Sequence, residues 1–443
     1  MTKTIKIKKG LDIPLAGKPS EIVTNDDNNR LYAIFPDDFL GPVWKACVKA
    51  GDKIKAGDPL FMDKASESIY LVSPVTGEVK EVNRGERRHI NFISVERTGE
   101  DKKLIDFEGD KTSEEIKKIL KESGLWCMLR QRPYDIVPEI DSEPRDIFVT
   151  AFDTSPLAGE LIDSDLKKWL DNGLEILKQL TKGQIYLSVR KGSGLISKIA
   201  ETVEFEGPHP AGNVGTQIAA IKPVNKGETV WTTDANTVSR IGKLFSNGEL
   251  DFHTLVAVTG PVVKNPHLVK TLIGASIQPI LKGFTEVTDG LRIISGNVLT
   301  GIQVKPNGFL RYPYRQITII EEGDQADEFM GWASLNPKKY SVKRSFPAFL
   351  RGLSKPFDFD ARVKGGKRAM ILSGEYDKVF PFDIYPEYLL KAIIAGDIDR
   401  MEKLGIYEVA PEDFALPEFV DTSKTELQKI VREGLNNLRK ELS

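Results

Sequence analysis

The chain has 443 residues, 40% of them hydrophobic and 28% charged, with 62 Lys and Arg against 64 Asp and Glu. That length calls for about two to four domains, and so balanced a charge excludes a global electrostatic hold on nucleic acid or on an anionic membrane surface. Two cysteines, Cys47 and Cys127, exclude a four-thiolate iron–sulfur cluster or four-cysteine zinc site built from this chain alone, and four scattered histidines form no HExxH pair.

The N-terminal segment Met1–Leu11 is basic and alternating, without the apolar run of a signal peptide, which points to the cytoplasm. No stretch reaches the ~18 apolar residues of a membrane span, so any membrane link is expected to run through a partner. Residues 1–98 read as short strands with dense turns. Gly51-Asp52, Gly57-Asp58 and Pro74-Val75-Thr76-Gly77 punctuate runs such as Ile69–Val72, the pattern of a small all-β barrel or sandwich. Lys64 lies between two of its strands, before "SPVTGEV". This resembles the lipoyl/biotinyl carrier fold, whose hairpin lysine bears the prosthetic group. One reading is therefore a carrier modified at Lys64; the other is a surface lysine on a reused scaffold.

Residues 99–139 form a linker with a helix, opened by a capping box at Thr112–Glu115 and continued by Ile116, Ile119 and Leu120 at helical spacing. Residues 140–254 alternate between strand and helix. Ile147–Phe152 and Ile185–Val189 are apolar strands. Ser164 is the expected cap of a helix with Leu166, Trp169, Leu170, Leu174 and Leu177 on one face. Val189–Leu195 is a Gly-rich strand-to-helix turn. Together these imply an α/β domain with a parallel sheet. Within it "GPHPAGNVGT", Gly207–Thr216, is a loop of three glycines and two prolines that matches neither the P-loop nor GxGxxG. Its N–H groups can cradle a phosphate or carbonyl oxygen. His209 is its one titratable side chain, the proton handler if the loop binds a quinone.

Residues 255–332 suggest a compact α+β unit, with strands at Leu255–Val258, Leu291–Ile294 and Ile317–Ile320 around a helix near Leu268–Gly274. Residues 333–443 begin with a basic and aromatic stretch, Lys338–Phe359, read as a docking segment or covered loop rather than a nucleic-acid site. They end in helices opened near Pro386 and at Ser423-x-x-Glu426. No Ser/His/Asp or Cys/His set can be assembled, so no nucleophile is assigned.

Six segments in order, Ile5–Gly17, Pro74–Arg88, Gly207–Ile218, Ala257–Ser276, Arg292–Gly301 and Val379–Asp399, resemble the family of A subunits of the sodium-translocating NADH:quinone reductases. The resemblance implies a multidomain α+β chain: a barrel-sandwich (lipoyl-like) domain, a Rossmann-like α/β domain, a β-grasp (SLBB-like) domain and a helical C-terminal domain. It implies a peripheral subunit on the cytoplasmic face of a six-subunit bacterial membrane complex. That complex passes electrons from NADH to ubiquinone or menaquinone and exports Na⁺, with its flavins and iron–sulfur centres on other subunits. The expected quinone contacts are Gly207, His209, Gly212, Asn213 and Gly215, with no catalytic residue, metal or resident cofactor in this chain.

The family is similar in turn to the C subunit of the Rnf complex and to the flavin-bearing, NADH-oxidising subunit of respiratory complex I. A flavin-binding electron-transfer subunit of the Rnf type is therefore the alternative. Two departures count against it. The relatives' glycine-rich flavin loop corresponds to Ser123–Pro138, where one glycine remains and Trp126, Met128 and Tyr134 are bulky. Their cysteine cluster has no counterpart. Where the family commonly has Phe-Val-Cys-Pro, this chain reads Phe419-Val420-Asp421-Thr422.

Overall fold

A computed structural model describes residues 2–99, 103–105, 111–285, 289–324, 339–342, 346–347 and 355–442. Lys338, Lys343, Arg344, Phe349 and Arg351 of the basic stretch lie outside the described residues.

Antiparallel strands from Leu31 to Arg97 form two small sheets. One has four strands, in the order Leu31–Ile34, Ile90–Arg97, Gly77–Arg84, Lys53–Ile54; the other runs Trp44–Ala46, Pro59–Asp63, Tyr70–Val72. The repeated Lys-x-Gly-Asp turns explain the tight folding. Gly51 and Gly57 both take left-handed φ, near +89° and +87°. The Asp52 and Asp58 carboxylates accept N–H bonds from Lys49 and Lys55 at 2.9 and 2.8 Å. Tyr32, Leu60, Phe61, Val79, Ile93 and Val95 fill the space between the sheets.

The α/β part is a six-stranded sheet in the order Lys3–Lys6, Glu201–Glu206, Ile185–Arg190, Ile147–Thr150, Val230–Asp234, Arg130–Arg132. The first five strands are parallel and the last runs against its neighbour. Its first strand comes from the N-terminus of the chain, which crosses to this sheet before the barrel begins. Side chains alternate across the sheet. Ile147 and Val149 meet Leu166, Leu170, Leu174 and Leu177 of the helix Ser164–Lys178, whereas Phe148 packs with Ile218 of the helix Val214–Ile221. The cap of Ser164–Lys178 is Asp163, whose carboxylate accepts the Leu166 N–H at 2.8 Å, not Ser164. The better acceptor, one residue earlier, takes the position. The capping box at Thr112 forms as the spacing predicts, in the helix Ser113–Glu122.

The helix Ser164–Lys178 crosses Ala235–Asn247 through paired glycines. A Cβ on Gly173 would lie 1.9 Å from the Val238 carbonyl oxygen, and one on Gly242 2.1 Å from that of Trp169.

A third, mixed sheet runs Ile302–Val304, Leu291–Ser295, Gln316–Glu321, His253–Thr259, His267–Leu272, Val23–Asn25. The strands predicted at Leu255, Leu291 and Ile317 are all present. The helix expected near Leu268–Gly274 is instead the strand His267–Leu272, paired antiparallel with His253–Thr259. Leu268, Val269, Thr271 and Leu272 are all buried. A strand covered on both faces loses the period-2 alternation, and a short apolar run then imitates a helix turn. The helix follows instead, at Ile277–Leu281.

Residues Pro386–Ala395, Ile398–Lys403, Ala415–Val420 and Leu427–Leu442 are helices around a separate core of Tyr376, Phe380, Leu389, Met401, Phe414 and Leu435. Pro386 occupies the first helical turn as expected. The last helix starts at Leu427, and Ser423 does not cap it. Glu418, on the preceding helix, accepts the Gln428 N–H at 2.9 Å, while Asp421 accepts those of Ser423 and Thr425.

Candidate functional site

In open parallel sheets ligands bind beyond the C-terminal strand ends, where the strand order reverses. Here the order reverses between Ile147–Thr150 and Val230–Asp234. The loop 151–155 follows the first of these strands, and the sequence-predicted Gly207–Gly215 loop, which follows Glu201–Glu206, reaches it through Thr150 and Thr154.

Other parts of the chain line the loop. Gly207 has φ near +149°, and a Cβ there would lie 2.3 Å from the Ile7 carbonyl oxygen. The Gly212 N–H donates to Thr154 Oγ1 at 2.9 Å, and a Cβ on Gly212 would sit 2.6 Å from the Thr154 nitrogen. Asn213 is the N-cap residue of the helix Val214–Ile221 without a side-chain capping bond. A Cβ on Gly215 would fall 2.3 Å from Asp413 Oδ1. The glycines thus permit close approach, as their sequence suggests, but the approaching groups are Ile7, Thr154 and Asp413.

His209 is buried within the loop. Its backbone N–H donates to Asp12 Oδ1 at 2.9 Å, and its Nδ1 lies 3.2 Å from Thr154 Oγ1. Burial pushes its pKa below the usual imidazole range, against the opposing pull of Asp153 and Asp12. A neutral imidazole results, able to hold or pass one proton through Thr154.

Asp413 is not legible from sequence as a site residue, nor is its partner. Arg132, 1% exposed, donates from Nη1 to Asp413 Oδ2 and from Nη2 to Glu412 Oε1, both at 2.9 Å. Burial opposes the Arg132 charge, and Asp413 and Glu412 more than offset it. Burial raises the Asp413 carboxyl above its usual range; Arg132 and the Ala410 N–H at 2.8 Å work the other way. A second pair, Arg432 Nη2 to Asp135 Oδ2 at 2.7 Å, lies alongside. Asp413 places a carboxylate beside the first turn of Val214–Ile221, where a helix favours negative charge. No sequence signal joins Arg132 to a residue 281 positions away.

The segment that replaces the glycine-rich loop is solid. Leu125–Met128 is a 3-10 turn in which Trp126 is fully buried, donates to the Pro138 carbonyl at 2.9 Å and meets Trp231 edge-on at 5.1 Å. Lys64 is exposed on the turn after Pro59–Asp63. Asp63 anchors that turn, accepting the Val43 and Ser66 N–H groups at 2.9 Å. Among the described residues no group of His, Cys, Asp and Glu could hold a metal, and no helix is long and apolar enough to cross a membrane.

Known proteins match along the whole chain. Residues 5–98 match the family described as the NqrA N-terminal barrel-sandwich hybrid domain, 111–250 the NqrA second alpha/beta domain, and 255–305 the NQRA C-terminal domain. The A subunit of the Na(+)-translocating NADH-quinone reductase of Hahella chejuensis is 38% identical over 448 residues, spanning 99% of this chain and 100% of that protein. The A subunits of the same reductase from Vibrio atlanticus and Neisseria meningitidis serogroup B are 38% identical over 450 and 451 residues, with the same coverage.

Proposed function

This chain belongs to the family of A subunits of the Na(+)-translocating NADH-quinone reductases, and we propose that it serves as the peripheral, cytoplasmic-side subunit of such a six-subunit complex. There it supports electron transfer from NADH to ubiquinone or menaquinone, coupled to Na⁺ export. Flavins and iron–sulfur centres reside on the other subunits. Residues 333–443 act as a helical unit of their own beside the barrel-sandwich, Rossmann-like and β-grasp domains. The observation that carries the reading is identity along the full length of both chains.

The filled sheet edge supports the cofactor-free part of this reading. Trp126 occupies the loop where close backbone approach to a flavin phosphate would be needed, and Asp413 covers Gly215. Of the proposed quinone contacts, Gly207 is exposed and Asn213 half-buried, while His209, Gly212 and Gly215 are buried by the chain's own residues. Quinone reaches Gly215 only if Asp413 withdraws. Restoring this chain to a complex that lacks its A subunit should restore Na⁺-dependent NADH:quinone activity, while the purified chain alone stays colourless and does not oxidise NADH. A stoichiometric flavin spectrum in the purified chain would overturn the proposal. Photoreactive quinone in the whole complex tests the loop, since labelling confined to other subunits removes it as a contact. Intact mass of natively expressed protein tests Lys64, and an unmodified mass under lipoylating conditions eliminates the carrier reading.

A further inference from the structure

Between the helix Ala235–Asn247 and the segment Leu310–Arg315 lies a solvent-open cleft that the family assignment does not use. Asp234, Arg240, Arg311, Tyr312, Tyr314 and Arg315 line it. Two structural units therefore contribute to one charged surface: Asp234 and Arg240 from the α/β part, the rest from the mixed-sheet part.

The charges in this cleft do not cancel. Arg311 is committed to Asp38, with Nε 3.0 Å from Oδ1 and Nη2 2.5 Å from the same oxygen. Asp234 is committed to its own helix. Its Oδ1 accepts the Asn236 and Thr237 N–H groups at 2.9 and 3.2 Å, and its Oδ2 accepts the Thr237 hydroxyl at 2.9 Å. Arg240 is 7% exposed. Its Nη2 donates to the His253 carbonyl at 2.8 Å, but its Nε is buried with no partner. A buried guanidinium N–H left unmade is costly and calls for an acceptor. Arg315 acts on Asp234 and Arg240 through space, and among the described residues its guanidinium forms no hydrogen bond or ion pair. Burial works against the Arg240 charge, and the neighbouring Arg315 adds to that, with Asp234 the main support. Arg240 and Arg315 thus share Asp234, whose carboxylate also accepts from its own helix, while Arg311 is held by Asp38.

We propose that this cleft binds a phosphate-type oxyanion between Arg240 and Arg315. Guanidinium N–H groups suit a tetrahedral oxyanion, and in the lining Arg240, Arg311 and Arg315 outnumber Asp234. The cleft opens to solvent, so the phosphate can be free or the end of a larger ligand. The inference does not depend on the family assignment.

The test uses the full chain with inorganic phosphate as the probe, by calorimetric titration and by thermal unfolding at constant ionic strength with phosphate replacing chloride. Saturable binding with a matching rise in Tm is expected. Arg315→Gln should weaken phosphate binding at least tenfold; any fall of its Tm in chloride reports the lost support of Asp234 and is subtracted. Arg315→Lys should retain part of the affinity and keeps the test open if the Gln variant folds poorly. Adenosine monophosphate separates the sources: tighter binding than phosphate points to a ligand-borne group, equal binding to free phosphate. Identical Tm values in phosphate and chloride, or full binding by Arg315→Gln, would overturn the proposal.

Discussion

His209 is held neutral by burial, and its consequence for stability has a definite sign. Its folded pKa lies below the ordinary imidazole value of 6.5, so between the two the unfolded chain binds the extra proton. The contribution is complete above pH 6.5 and is lost as pH falls towards the folded pKa. Each unit of depression corresponds to about 1.4 kcal/mol. Wild-type Tm should therefore fall more steeply than that of His209→Gln between about pH 6.5 and 5. Parallel pH profiles for the two proteins would refute the assignment. The difference between the profiles is the quantity to read, because Asp413, raised by burial, titrates with the opposite sign. Gly215 allows a second residue-scale test. An alanine normally gains up to ~1 kcal/mol in a helix interior, but here its Cβ would lie 2.3 Å from Asp413 Oδ1. The clash should win, so Gly215→Ala lowers stability by ~1–3 kcal/mol in denaturant titrations. On an Asp413→Ser background, which itself loses the Arg132 pair, Gly215→Ala should cost much less, and strict additivity of the two changes would count against direct contact.

At the scale of elements, the paired helices Ser164–Lys178 and Ala235–Asn247 depend on Gly173 and Gly242. Each faces a backbone carbonyl of the other helix at a distance no Cβ tolerates. Backbone cannot swing aside as a side chain can. Gly173→Ala should therefore cost about 3 kcal/mol or more, the upper end of overpacking, and unchanged unfolding in urea would refute the close crossing. The first of these helices shows what sequence makes legible. Its apolar stripe and the capping box at Thr112 are local, repeated signals, and the elements they predict are present. The buried strand His267–Leu272 is not legible, because apolar residues on both faces erase its period. The cap of the last helix escapes too. Glu418 reaches across from another helix, which a motif such as Ser-x-x-Glu cannot reveal. For the candidate site, glycine content marks a loop at Gly207–Thr216, but composition does not say whether ligand or protein approaches Gly207, Gly212 and Gly215. Arg132 and Asp413 carry no mark at all.

The whole molecule is joined unevenly, and its unfolding should reflect that. One continuous core runs through Tyr32 and Phe61 of the barrel, Trp126 and Leu170 of the α/β part and Val256 and Ile317 of the mixed sheet. Backbone bonds stitch the barrel to the mixed sheet, Ala33 N–H to the Gly274 carbonyl at 2.8 Å and Ser276 N–H to that of Leu31 at 2.9 Å. The C-terminal helices have their own core. Ile13, Tyr134, Ala219 and Leu299 from the other parts pack against that core, and ion pairs, Arg132 with Asp413 and Glu412 and Arg432 with Asp135, add polar ties. Units sharing a core melt together, whereas a unit with a core largely its own can open by itself. Calorimetry should show the first three parts in one transition and the C-terminal helices in an earlier one. Removing one partner of a buried pair costs about 3–5 kcal/mol, because the remaining charge stays buried. Arg132→Gln should therefore lower the earlier transition by ~10 °C or more and leave the later one nearly unmoved. Equal shifts in both would mean that the C-terminal helices belong to the main cooperative unit. The selective shift would identify Arg132 as a tie that keeps the C-terminal helices, and with them Asp413, against Gly215.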